Sequence, residues 1–294
     1  MPAPLPLCYL NGAYLPLGEA RVSPLDRGFL YGDGAYELMP VYRGRPFRLA
    51  DHRARLARSL AEIRMEDPLS DHEWRAVFAT LIDRNSGGDG GGNLYIYWQV
   101  TRGAEWGRNH APLPQIPRTV FAFCAPLPPV LPEALERGLD CITATDTRWA
   151  RRDIKSIALL ANVLLRQLAV DANAAETILL ERGELTEASA SAVHVVVGGE
   201  LRTPPRTERV LPGTTRSVLE ILAERVGVQR RSVAVTEAEL RGADEVLLSA
   251  ATREVVPVTR LDGRPVGRGT PGPVWRSLYN ALQEYKEELA KEPW

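Results

Sequence analysis

Four prolines in seven residues interrupt the chain near its middle, at Pro126-Leu127-Pro128-Pro129-Val130-Leu131-Pro132. Each proline fixes φ and removes a backbone donor, so this stretch can be neither a central strand nor a helix interior. It reads as an extended connector between two folding units. The predicted division is a small N-terminal domain over 1–125, a linker over 126–132 and a larger domain over 133–294. Both halves mix strand and helix patterns, with no regular βαβ alternation and no 20–50-residue repeat, which indicates an α+β fold of two domains.

The local signals fill in this outline. Asn11-Gly12 between apolar runs predicts a hairpin, because both residues accept positive φ. In Gly32-Asp33-Gly34 the glycines permit tight bends, but a strand pattern follows, not the helix a dinucleotide fingerprint needs. There Tyr36, Leu38 and Pro40 alternate with Glu37, Met39 and Val41. Helices are expected over 51–63, 71–84, through Val226 from an opening segment 210–216, and from about Pro273 to Ala290. Strands are expected over 94–100, 118–125, 193–197 and 244–249. Gly87–Gly92 lacks the Lys-Ser/Thr ending of a phosphate-binding loop and precedes a strand, so it reads as a surface connection.

Composition excludes several classes. Lys plus Arg number 36 against 37 acidic residues, which gives no support to a nucleic-acid or membrane-surface binder. Cys8, Cys124 and Cys141 have no paired spacing, as expected of a reducing compartment. His52, His72, His110 and His194 show no metal-ligand spacing. With no signal-peptide pattern and no apolar run of about 18 residues, a cytoplasmic protein is expected.

The chemistry centres on Arg148-Trp149-Ala150-Arg151-Arg152-Asp153-Ile154-Lys155-Ser156-Ile157. After Lys155, the residues Ile157, Leu160, Ala161, Leu164, Leu165 and Leu168 recur at helical spacing. A lysine at the mouth of a buried helix is partly desolvated, and nearby arginines further disfavour the ammonium. The free amine is the nucleophile for a Schiff base. Elsewhere, Leu211-Pro212-Gly213-Thr214-Thr215 puts N–H groups and hydroxyls at a helix start, a natural phosphate site. Ala250-Ala251-Thr252 can supply a second such turn, and Arg55 a fixed positive charge.

Asp26-Arg27-Gly28, Tyr31-Gly32-Asp33-Gly34-Ala35-Tyr36-Glu37, Arg148-Trp149, Asp153-Ile154-Lys155-Ser156, Leu185-Thr186-Glu187-Ala188-Ser189-Ala190-Ser191 and Leu211-Pro212-Gly213-Thr214-Thr215-Arg216 occur in this order. Together they resemble the fold-type IV pyridoxal-phosphate (PLP) aminotransferases, over roughly residues 7 to 285. The resemblance implies that family's two-domain architecture, a small α/β domain and a larger domain with a β-barrel-like core.

It also implies site roles. Lys155 would form the Schiff base with PLP, and Glu187 would pair with the pyridine nitrogen. Arg55, Thr214, Thr215 and the turn at Ala251 would hold the phosphate. Leu211 would pack on the ring face, Tyr36 would lie beside the Schiff base, and Arg148 would support the site. Arg108-Asn109-His110 resembles the carboxylate trap of D-amino acid transaminases, whose loop reaches into the neighbouring subunit's site. That implies a homodimer moving an amino group between a D-amino acid (D-alanine, D-glutamate or D-aspartate) and a 2-oxo acid by a ping-pong mechanism. Branched-chain L-amino acid or R-selective amine transaminases, and aminodeoxychorismate lyase, are the alternatives within the fold. Ala190, Ala192, Ala251 and Pro40 depart from the subfamily pattern and leave the side-chain pocket open.

Overall fold

A computed structural model describes residues 2–85, 92–291 and 294. The glycine-rich loop thus lies outside the described residues apart from Gly92. The contacts divide the chain into two compact units: Met1–Pro128 with Ile154–Leu159 and Ala290–Trp294, and Pro129–Asp153 with Leu160–Leu289.

The first unit is built on strands β1 (Leu7–Leu10), β2 (Ala13–Pro16), β3 (Gly34–Tyr42), β4 (Arg45–Pro46), β5 (Leu94–Thr101) and β6 (Thr119–Pro126), with helices α1 (Arg27–Tyr31), α2 (Leu49–Glu62) and α3 (Asp71–Asn85). Its sheet is ordered β2-β1-β6-β5-β3-β4, and every neighbouring pair is antiparallel. Asn11 and Gly12 turn the first hairpin at φ 49° and 95°, the double positive φ that this dipeptide tolerates.

The two faces of this sheet differ. Met39, Ile96, Trp98, Val100, Ala122 and Cys124 join Leu56, Leu60, Trp74 and Phe78 of α2 and α3 in a dry core. Trp98 and Phe78 meet at 4.8 Å between ring centroids, within the range of favourable aromatic pairing. The opposite face carries Tyr36, Leu38, Tyr97, Gln99, Phe121 and Phe123, all half-buried.

Two glycines let the lysine segment dock. A Cβ on Gly34 would come within 3.0 Å of the Ile157 Cδ1, and one on Gly32, at φ 67°, within 2.9 Å of the Ala158 Cβ. Glycine permits both that φ and that approach. Residues 155–157 therefore pair with β3: Tyr36 N–H donates to the Lys155 carbonyl at 3.0 Å, and Ile157 N–H to the Gly34 carbonyl at 3.1 Å.

The second unit contains α4 (Pro132–Glu136), β7 (Leu139–Thr145), α5 (Leu160–Asp171), β8 (Glu176–Glu181), β9 (Glu184–Ala188), β10 (Ala192–Val197), β11 (Glu200–Thr203), α6 (Thr214–Arg225), β12 (Arg230–Ser232), α7 (Glu237–Arg241), β13 (Glu245–Ala250), β14 (Glu254–Leu261), β15 (Arg264–Pro265) and α8 (Pro273–Leu289). Its sheet is ordered β12-β11-β10-β13-β14-β7-β8-β9, with β15 beside β14. Pairings of β7 with β14 and β8 are parallel among antiparallel neighbours. β9 ends this path, yet it connects to β10, near the other end, through Ser189–Ser191 alone. The sheet must therefore curl on itself, which gives the barrel-like core filled by Ile178, Val193, Val195, Val246, Leu248 and Val256.

Helix α5 corrects one expectation. It begins five residues after Lys155, and Leu160, Leu164 and Leu168 are 73%, 61% and 44% exposed, leaving Leu165 and Ala169 as its buried residues. Lys155 lies in an extended segment on a strand, not at the mouth of a buried helix, because backbone pairing with β3 claims 155–157 before a helix can start.

Candidate active site

In the first unit, the Lys155 amine sits over the Tyr36 ring, 4.2 Å from its centroid. It forms no ion pair among the described residues. The Lys155 backbone N–H donates to the hydroxyl of fully buried Ser59 on α2 at 3.2 Å. Main chain on both sides thus fixes where this side chain starts.

Behind Tyr36, on the core face, Glu37 is completely buried. Arg55 Nε donates to Glu37 Oε1 at 2.6 Å and its Nη2 to Oε2 at 2.8 Å. His52 Nδ1 lies 2.7 Å from Oε2. Burial would raise the Glu37 carboxyl, but Arg55 and His52 overcome it and hold the group at about 2. Burial keeps the His52 ring below its ordinary range, against the pull of Glu37. A neutral His52 then donates from Nδ1, and Arg55 is a fork held in one orientation. Glu37, His52 and Ser59 received no site role from the sequence. The signal was present for two of them: an acid in the core-facing register of a strand, and a histidine three residues before an arginine on one helix face.

Arg108 and His110 are exposed and flank Tyr31. The Arg108 guanidinium lies 5.2 Å from the Tyr31 ring centroid, and the His110 ring meets it edge-on at 5.7 Å. Arg27 holds their loop from below. It donates to the carbonyls of Asn109 and His110 at 2.6 and 2.9 Å, to Asp33 at 2.9 Å, and to Glu105. Asp26 caps α1 by accepting from Gly28 N–H at 2.7 Å, so the Asp26-Arg27-Gly28 motif builds an anchor for this loop. The contacts of Arg108 and His110 are with Tyr31, while Tyr36 is the neighbour of Lys155.

In the second unit, Glu187 on β9 is buried, with both oxygens assigned. Oε1 accepts from Leu211 N–H at 2.9 Å and Oε2 from Arg148 Nη1 at 2.8 Å. Burial pushes this carboxyl above its ordinary value, opposed by Arg148 and the Leu211 N–H. Arg148 is itself held by Asp146, which also accepts from the Thr186 hydroxyl at 2.7 Å. Asp146 and Thr186 were missed in the sequence, since each is an ordinary residue until the fold places it behind Arg148. Arg151 and Arg152, which flank the lysine motif, are engaged by Asp153 and Glu181.

Helix α6 starts at Thr214 with Gly213 as its N-cap, and no side chain caps it. The first N–H groups of a helix lack internal acceptors, and here they belong to buried Thr214 and Thr215. A Cβ built on Gly213 would lie 3.9 Å from that of Ala192, and Ala192 pairs across the sheet with Ser249. The turn Ala250–Arg253 follows directly, so the two candidate phosphate turns are neighbours. The second unit offers uncapped donors at a helix start and a carboxylate fixed at two points, and the first a lysine amine with no ion-pair partner among the described residues; each is of a type PLP requires, and the residues present fit it.

The amino-transferase class IV family model matches residues 34–261, and the chain belongs to this family of PLP-dependent aminotransferases of fold type IV. It is 40% identical to the D-alanine aminotransferase of Bacillus licheniformis over 93% of this chain and 94% of that one. It is 38% identical to that of Staphylococcus aureus strain MSSA476, over 95% and 97%. Among solved structures, the branched-chain amino acid aminotransferase of Escherichia coli superposes with a TM-score of 0.89 at 26% identity, over 95% of this chain and 94% of that one. The branched-chain enzyme of Thermoproteus uzoniensis with norvaline gives 0.83 at 25%, over 97% and 95%.

Proposed function

We propose that this enzyme is a cytoplasmic, homodimeric D-amino acid transaminase that passes the amino group to a 2-oxo acid. The observation carrying the stereochemical part is the Arg27-anchored loop, which presents Arg108 and His110 as exposed donors with no carboxylate partner among the described residues. An arginine fork and an imidazole are suited to the α-carboxylate of an amino acid. In the homodimer this loop would serve the neighbouring subunit's site. The identity to D-alanine aminotransferases supports the same reading.

PLP, when bound, draws electrons from the substrate Cα into its ring. Lys155 would hold its aldehyde carbon covalently. Glu187, oriented by Arg148 and Leu211 N–H, would keep the proton on the pyridine nitrogen. The N–H groups of Thr214, Thr215 and Ala251, the Thr215 hydroxyl and Arg55 would bind the phosphate, with Leu211 against the ring. Lys155 Nζ, as a free amine, would hold and move the proton taken from the substrate Cα. Water would supply the carbonyl oxygen of the 2-oxo acid product, which would leave before the second oxo acid enters, so ping-pong kinetics are expected.

The test is a single half-reaction. D-alanine should convert the yellow enzyme to its amino form with release of pyruvate, and Lys155→Ala should abolish the borohydride-reducible link. Reaction with L-leucine but not D-alanine would sink the stereochemical assignment.

A further inference from the structure

Along β3, β5 and β6 the second face of the first unit's sheet is aromatic and half-open, and cations meet it at its margins, Lys155 over Tyr36 and Arg45 of β4 opposite Tyr42. The Tyr36 ring, under the Lys155 amine, stacks on Tyr97 at 5.6 Å between centroids. Tyr97 meets Phe123 at 5.2 Å, and Phe123 meets Phe121 at 5.7 Å. These rings form one continuous row leading away from the lysine. Strand register explains it: Gln99 lies opposite Tyr36 and Phe121, and Tyr97 opposite Leu38 and Phe123. All six side chains are half-buried, whereas Met39, Ile96, Trp98 and Ala122 on the other face are fully buried.

No residue that β3, β5 or β6 presents on this face is charged. The Tyr97 hydroxyl donates to Gln99 Oε1 at 2.7 Å, and burial raises the phenol above its usual range, so it stays neutral. A contiguous half-open apolar face marks a binding surface. A third ring on this row would meet Tyr97 and Phe123 at favourable aromatic separations. On the Tyr97–Phe123 part of the row a side-chain carboxylate would lose water and meet no cation presented by β3, β5 or β6, a desolvation cost that those strands do not compensate.

We infer that the amino donor is an aromatic or other large apolar D-amino acid, seated on the Tyr36–Tyr97–Phe123 row, rather than D-glutamate or D-aspartate. This rests on the D-amino acid transaminase reading and narrows it.

The experiment compares half-reaction kcat/KM for D-phenylalanine, D-glutamate and D-alanine on the holoenzyme. D-phenylalanine should exceed D-glutamate by about tenfold or more. In Phe123→Ala the ratio of D-phenylalanine to D-alanine should fall about tenfold, through KM, and Phe123→Tyr, which keeps the ring, should preserve it. If D-alanine reacts and D-glutamate matches or exceeds D-phenylalanine, the inference is overturned while the transaminase reading stands. If no D-amino acid reacts, both fall together. The wild-type comparison decides the matter even where Phe123→Ala fails to fold.

Discussion

Arg148 Nη1 donates to Glu187 Oε2 at 2.8 Å, and the same guanidinium reaches back to Asp146 Oδ2, also at 2.8 Å. Arg148 therefore aligns the carboxylate proposed to face the pyridine nitrogen, and Asp146 fixes the arginine. Replacing Glu187 by Gln keeps the size and an acceptor for Leu211 N–H but removes the charge, and its amide can set donors against Arg148. The expected outcome is a loss of about 100-fold or more in half-reaction rate, on the order of a lost charge-stabilising group, with PLP still linked to Lys155. A near-wild-type rate in Glu187→Gln would refute the role.

The uncapped start of α6 gives a sharper test of phosphate binding. Thr214 occupies the first helical position, where proline is well tolerated because that N–H is not used by the helix. Gly213 before it is extended, at φ -66° and ψ 128°, as a residue preceding proline should be. Thr214→Pro should therefore leave the apo-protein's melting temperature nearly unchanged. It should weaken PLP about 10- to 100-fold, the loss of one hydrogen bond to a charged group. Unchanged cofactor affinity in a folded variant would remove Thr214 from the phosphate site.

Arg55 and Glu37 form a buried ion pair that His52 completes. Glu37→Gln would leave the Arg55 charge buried without its counter-ion, a change worth about 3–5 kcal/mol. The melting temperature should drop by roughly 10 °C in a domain of this size. PLP should also dissociate more readily, because the Arg55 fork loses its fixed orientation. Stability within about 1 kcal/mol of wild type, read by denaturant titration, would contradict this role for the pair.

What the sequence disclosed depended on the range of the interaction. The Asn11-Gly12 turn, α2, α3, α6 and α8, and β5, β6, β10 and β13 rest on local propensity, and each was legible to within about two residues. Motif order singled out Lys155, Glu187, Thr214 and Thr215. The Glu37–His52–Arg55 group and the Asp146–Arg148–Glu187 relay were not legible, because they depend on strand register and on partners up to 39 residues apart. Helix α5 shows the opposite failure. Its apolar periodicity is real, but Leu160 and Leu164 face outward, and periodicity does not say what a face packs against.

Acid sensitivity follows from three buried groups acting in one direction. His52 lies below its ordinary 6.5, and burial, assisted by Arg216, takes His194 down to about 3. Both rings stay neutral in the fold, while the unfolded chain protonates them below about 6.5. His194 therefore removes up to about 1.4 kcal/mol of stability per pH unit between that value and its own, and His52 acts in the same direction. Glu37, ordinarily near 4.5 and held at about 2, adds stability that is full above 4.5 and is lost as the pH falls toward 2. Glu187 opposes them: its raised value contributes stability at low pH that fades as the pH rises through it. The net expectation is a decline beginning just below about pH 6.5 and steepening below about 4.5. His194→Phe should remove one of the two histidine contributions between these limits, although Ser249 loses the partner that lies 2.8 Å from its hydroxyl. Unfolding free energies at half-unit pH steps from about 8 to about 4 would show it. A His194→Phe profile parallel to that of wild type between about 6.5 and 4.5 would mean that His194 is not held neutral.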